Sequence, residues 1–390
     1  MRRSVPRDTL RCWATLALAC AALAGCRERD SFRPEEARPP VERAGEAWQV
    51  TYSIGDDRAP SWAPGSDSIY YAAEAFAGLP DAPGVLLSVP RDGGAVVPLV
   101  PEQVASTRAR WFTAPDRAGD RLAWAEVVRL NEPLPCAAPF SSCAIGAERR
   151  VPPLGYIGLR TRPAAGAAPL PDQPPLLLQV AGRSATDDTP FHVDSRWHPF
   201  QTVFHEDGHA LFRPSWAPDG SRLVFSDGLR LLVWTAGAGD PVPIPGTEDG
   251  VSPAWSPAGD WIAYTRLARG DSAVSECSFY TSLSTVCHER RVAYAVTARE
   301  VVVVSPDGGQ TREVLDGEQP AWNPGGTTLY VRRGGHIWRQ SLLGGAAQRL
   351  PGTDGGGEPA VSPDGRFLAF TRLSSAGNHD VWVLPLEVAP

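Results

Sequence analysis

The chain of 390 residues contains no lysine: all 37 of its Lys+Arg positions are arginine. That absence removes the lysine of a phosphate-cradling Walker loop, Schiff-base catalysis and Ser-x-x-Lys nucleophile pairs. Positive charge is also in deficit, with 44 Asp+Glu and a formal net charge of −7. An acidic surface repels phosphate backbones, so nucleic acid is not an expected partner. No apolar run reaches the roughly 20 residues of a membrane-spanning helix. No G-x-S-x-G elbow, no G-x-G-x-x-G opening a helix and no D-x-D-x-D-G calcium loop occurs, and no cofactor is called for. Cysteine is scarce, at seven residues.

What is present begins at the N-terminus. Arg2, Arg3, Arg7 and Arg11 precede an apolar stretch from Cys12 to Ala24, which is the layout of an export leader. The stretch ends in Leu23-Ala24-Gly25-Cys26, which resembles the lipobox of bacterial lipoproteins. The resemblance implies a signal peptide over 1–25, lipidation of Cys26 and anchoring to a membrane by several acyl chains, since one chain alone binds marginally. Arg27 stands where Asp would resemble an inner-membrane retention signal, which favours the outer membrane and a periplasmic domain. An ordinary secretory leader with an incidental Cys26 is the other reading. Residues 26–46 are rich in Arg, Glu and Pro, with almost nothing to bury, and are expected to form a disordered tether.

Cys12 and Cys20 would leave with the leader. The four cysteines beyond Cys26 fall in two local pairs, Cys136/Cys143 and Cys277/Cys287. Neither has C-x-x-C spacing, and an even number in an exported chain favours disulfides. Of the three connectivities, the two local bonds are the cheapest to form.

The rest is repetitive. Pro60-Ser61-Trp62-Ala63-Pro64, Pro214-Ser215-Trp216-Ala217-Pro218, Pro253-Ala254-Trp255-Ser256-Pro257, Pro320-Ala321-Trp322-Asn323-Pro324 and Pro359-Ala360-Val361-Ser362-Pro363 are five copies of one phrase. Each leads through a turn into an alternating apolar segment, and Trp111 marks a degenerate sixth. Alternation predicts half-buried strands, and Pro-Asp-Gly is a turn with φ set at Pro and left-handed tolerance at Gly. Two more Gly-bearing turns and two more strands follow in each unit. Four antiparallel strands repeated radially make an all-β propeller of residues 47–390. The phrase resembles the WD40-like (PD40) repeats of the TolB family, whose propellers have six blades and work in periplasmic protein complexes. The N-terminal α/β domain of TolB itself is missing here.

Six blades are expected, with a seventh left open at Trp197-His198-Pro199. The spacings Trp111–Trp216 and Trp255–Trp322, 105 and 67 residues against 39 for Trp216–Trp255, imply two loop inserts, each carrying one cysteine pair. The last copy ends after its third strand. Ala47-Trp48-Gln49-Val50-Thr51-Tyr52 stands at the right distance before Trp62 to supply the fourth and close the ring.

One segment has the composition of a metal site. His205-Glu206-Asp207-Gly208-His209 is a literal H-E-x-x-H, with His192 and His198 nearby. In zincins that motif lies on a helix, and Asp-Gly in its middle reads instead as a hairpin turn. The expected function is therefore a non-catalytic, protein-binding scaffold whose partners are envelope proteins. A propeller that binds a metal or small ligand through the 192–209 insert is the alternative, with a zincin-type peptidase as its remote variant.

Overall fold

In the computed structural model the described residues are 43–44, 46–53, 55–74, 84–99, 109–112, 115–119, 121–129, 155–163, 176–181, 213–226, 230–236, 241–281 and 284–386. Among them there is no helix long and apolar enough to cross a membrane. Among the described residues all regular structure is strand, in six antiparallel sheets.

Sheet 1 holds Asp57–Trp62, Ser68–Glu74, Gly84–Pro90 and Val97–Pro98. Sheet 2 holds Ala109–Phe112, Asp116–Ala118, Arg121–Arg129, Gly155–Pro163 and Leu176–Ala181. Sheet 3 holds Ser215–Trp216, Arg222–Ser226, Leu231–Thr235 and Val242–Pro243. Sheet 4 holds Gly250–Trp255, Ile262–Thr281, Ser284–Val304 and Thr311–Asp316. Sheet 5 holds Glu318–Trp322, Thr328–Arg333, His336–Ser341 and Gln348–Arg349. Sheet 6 holds Gly357–Val361, Phe367–Leu373 and His379–Pro385, completed by Ala47–Gln49 and Arg43–Ala44. Each sheet packs on the next, and the first strand of sheet 6 packs on that of sheet 1. This is a β-propeller.

The repeated phrase has one geometry. The carbonyls of Ala63, Ala217, Ser256, Asn323 and Ser362 each accept the amide three residues on, at 2.8–3.0 Å. The receiving turn ends on a left-handed residue: Ser66 at φ 59° in sheet 1, and Gly220, Gly259, Gly326 and Gly365 at 67–79° elsewhere. Gly fits that conformation without the penalty of a Cβ. Gly259, Gly326 and Gly365 also lie against Pro218, Pro257 and Pro324 of the preceding turn, so these turns stack around one face of the disc. The anchor tryptophans fill the space between sheets. Trp322 packs on Ala254, Ala263, Val301 and Val303 of sheet 4, and its indole N–H donates to the Ala254 carbonyl at 2.9 Å. Trp62 repeats the contact on sheet 6, donating to Ala360 O at 2.9 Å.

Three expectations change in detail. The second strands are buried on both faces, as at Ile69–Ala73 and Ile262–Thr265, because a neighbouring sheet covers each side. Alternation marks half-burial, and these near-continuous apolar runs mark a doubly covered strand. The insert between Trp255 and Trp322 is not a loop. It is an extension of the second and third strands of sheet 4, 20 and 21 residues long. Its β-branched and aromatic content carries the pairing outward, and Cys277 stands directly opposite Cys287 in the register. At the N-terminus, pairing begins before residue 47, with Arg43 and Ala44 against Trp48 and Ala47.

The closure follows the reading of the ends. Trp48 and Gln49 pair with Val383 and Trp382, and Val50 N–H donates to Val381 O at 2.8 Å. Ala47–Gln49 thus lies beside His379–Pro385 and covers the edge that strand would otherwise expose.

Candidate functional site

Antiparallel order divides the connections between two faces. The turns after the anchors lie on one face, and the second-to-third-strand connections and the crossings between sheets lie on the other. The long hairpin of sheet 4 leaves from this second face. So do the chain ends flanking positions 130–154 and 182–212. The inner strands open onto the same face.

There four of the inner strands, those of sheets 1, 4, 5 and 6, are bulged. The residue before the repeat's first proline is left-handed: Ala59 at φ 55°, Ser252 at 53°, Gln319 at 57° and Glu358 at 51°. In all four strands the register slips at this point. Bulges re-aim side chains, and non-glycine residues at positive φ carry strain of order 1–3 kcal/mol each. What the strain gains is a head-to-tail chain around the axis. Gln319 N–H donates to Thr265 Oγ1 at 2.9 Å, Glu358 N–H to Gln319 Oε1 at 2.7 Å, and Ala59 N–H to Glu358 Oε2 at 2.9 Å.

Arg213 occupies the equivalent place before Pro214. It is half-buried, and the carboxylates of Asp116 and Glu358 act on it electrostatically. Burial pulls its pKa down, against the pull of both acids. Burial likewise raises the Asp116 carboxyl, opposed by the amide of Trp216 at 2.5 Å and by Arg213. Farther out on this face, Glu318 bridges Arg299 at 2.9 Å and Arg332 at 3.1 Å. Arg266 bridges Glu300 at 2.6 Å and Glu313 at 2.5 Å. The site is an arc of polar groups that bind one another from sheet 4 through sheets 5 and 6 to sheet 1, with Arg213 acted on by the acids Asp116 and Glu358. Among the described residues nothing in it pairs a nucleophile with a base.

Of the residues singled out in the sequence, Cys26, Cys136, Cys143, His192, His198, His205 and His209 lie outside the described residues. Cys277 and Cys287 are brought together as backbone partners. Among the described residues no group of three His, Cys, Asp or Glu side chains is arranged to hold a metal. The set of Arg213, Gln319 and Glu358 was missed by sequence reasoning. Its signal was positional: the residue before each repeat proline.

The chain matches no described protein family and no curated protein. Among solved structures it is similar to an oligogalacturonate lyase from Vibrio parahaemolyticus, at 11% identity over 89% of this chain and 96% of that one, with a TM-score of 0.44. It is similar to TolB from Acinetobacter baumannii, at 12% identity over 83% of this chain and 65% of that one, with a TM-score of 0.43. A glucose dehydrogenase matches at 11% identity over 90% of this chain and all 100% of that one, with a TM-score of 0.47. The likeness is of fold alone.

Proposed function

We propose that the protein is a lipid-anchored, six-bladed propeller of the cell envelope that binds partner proteins through its insert-bearing face. The observation that carries this reading is the gathering of the sheet 4 hairpin, the flanks of the two other long connections and the bonded polar arc of the inner strands on one face. Variable connections on a rigid frame are where binding usually resides. The reading places residues 1–25 as leader, lipid on Cys26 and the disc in the periplasm. It draws for this on the Leu23-Ala24-Gly25-Cys26 motif and the Arg/Pro-rich segment behind it.

The test uses two variants. Cys26→Ser is expected to be exported and to fractionate as soluble; retention on membranes after a high-salt wash would place the anchor elsewhere. A chain in which residues 270–295 are replaced by a short turn is expected to lose the envelope proteins that cross-link to the full chain. Capture of the same proteins in the same yield would sink the assignment of the face.

The hairpin itself is expected to be stapled. Directly opposed antiparallel residues have Cα atoms about 4.5–5.5 Å apart, inside the range a disulfide spans. Non-reducing peptide mapping should join Cys277 to Cys287 and Cys136 to Cys143. A bond from either hairpin cysteine to Cys136 or Cys143 overturns the local pairing.

A further inference from the structure

The seam where the chain closes on itself holds two carboxyl groups away from water. Asp57 begins the inner strand of sheet 1 and is 0% exposed; Asp380, in the third strand of sheet 6, is 1% exposed. Between them runs the segment that leaves the closing strand. Gln49 Nε2 donates to Asp380 Oδ2 at 2.8 Å, and Thr51 Oγ1 and Asn378 Nδ2 donate to Asp380 Oδ1 at 3.4 and 3.2 Å. Ser53 Oγ donates to Asp57 Oδ1 at 2.6 Å. Asn378 Nδ2 also ties down the carbonyls of Ser53 and Gly55, each at 3.0 Å, and Val381 N–H donates to Thr51 Oγ1 at 2.9 Å. This small network fastens residues 49–55 to sheet 6.

We propose that the seam is a proton-operated latch: Asp57 and Asp380 keep the ring shut as neutral carboxyls, and their ionisation loosens the N-terminal closing strand.

The geometry leaves little else to neutralise them. The basic side chains nearest in sequence serve another acid: the Arg58 guanidinium and the His379 ring both lie against Asp56, at 3.2 and 3.4 Å. His379 also gives its backbone amide to Asp56. Arg372 stands opposite Asp380 in the register, yet its guanidinium lies 4.8 Å from the centre of the Trp382 ring. Tyr71 faces both carboxyls, and Glu358 lies across the seam against Ala59. Among the described residues no ion pair reaches Asp57 or Asp380. Asp57 Oδ2 has no hydrogen-bond partner at all. Burying a carboxylate without a counter-charge is strongly unfavourable, and a proton removes that cost.

The titration has the matching direction. Burial pushes Asp57 up to about 7, against hydrogen bonds from Ser53 and Thr51. Burial and then the charge of Asp57 push Asp380 up to about 8. In the unfolded chain both would ionise near 4. A folded pKa above the unfolded one gives stability that is fully present below about pH 4. That contribution falls as pH rises from there and is lost through the range of about 7 to about 8.

The experiment follows the full chain from pH 5 to 9.5. Its melting temperature should fall towards alkaline pH, and Asp57→Asn or Asp380→Asn should lift the alkaline value by about 3 °C or more, flattening the profile. Hydrogen exchange, corrected for its intrinsic pH dependence, should show the amides of Val50 and Val381 losing at least tenfold protection between pH 6 and 9, with Val302 in sheet 4 unchanged. Equal profiles for wild type and both variants, or uniform loss of protection across sheets, overturns the latch. If neither variant folds, carbon-detected NMR of the wild-type carboxyls decides: two aspartates titrating above pH 6 support it, and fewer than two overturns it.

Discussion

A chain that begins at Arg43 is expected to melt as the full-length protein does, whereas one that begins at Ile54 should lose on the order of 5 kcal/mol and aggregate. The first deletion removes nothing that pairs among the described residues. The second removes Ala47–Gln49 and the bonds that follow it, including Val50 to Val381 and Gln49 to Asp380. At about 0.5–1.5 kcal/mol per net hydrogen bond, these account for several kcal/mol. Trp48 adds to the loss, since it packs edge-on against Phe367 at 6.2 Å and donates to Arg91 O, in the turn after Gly84–Pro90, at 3.3 Å. The strand His379–Pro385 would then face solvent as an unpaired, apolar edge, which is a template for association. Calorimetry and size-exclusion chromatography of the two truncations check this. Equal melting and monomeric behaviour for both would show that Ala47–Gln49 does not hold the ring.

How much of the fold is legible in the sequence depends on whether the physics is local. The turn is legible because Pro-Asp-Gly imposes its own φ values, and Ser66 and four glycines hold the left-handed position. The closing strand is legible because a missing fourth strand at one end matches a surplus strand at the other. The sheet 4 hairpin reads as a loop, since excess length says nothing about whether strands continue through it. The polar arc on the inner strands stays hidden for a different reason. Ala59, Arg213, Ser252, Gln319 and Glu358 share a place in the repeat but no chemistry, so no motif links them. Asp57 and Asp380 are hidden by habit: Asp in a sequence suggests solvent, and only the meeting of the two chain ends buries this pair.

The anchor tryptophans permit a sharper test than bulk destabilisation. Trp322→Ala should cost about 3–5 kcal/mol, the range for emptying a large aromatic site in a core. The void would open between sheets 4 and 5, against Ala254, Ala263, Val301 and Val303. Trp322→Phe retains most of the packing and deletes the indole N–H, leaving the Ala254 carbonyl without its donor. An orphaned buried acceptor costs about 1–3 kcal/mol. Trp255 occupies the same place one sheet earlier, but its Nε1 is buried without a partner, and its ring lies beneath Arg222 at 4.9 Å. Trp255→Phe removes no such bond and should even relieve an unsatisfied donor. In urea denaturation at matched slope, the Trp322→Phe variant should therefore be less stable than Trp255→Phe by about 1–3 kcal/mol. Equal losses at the two anchors would mean that the indole bond to Ala254 contributes nothing, and that sheets 4 and 5 are held there by packing alone.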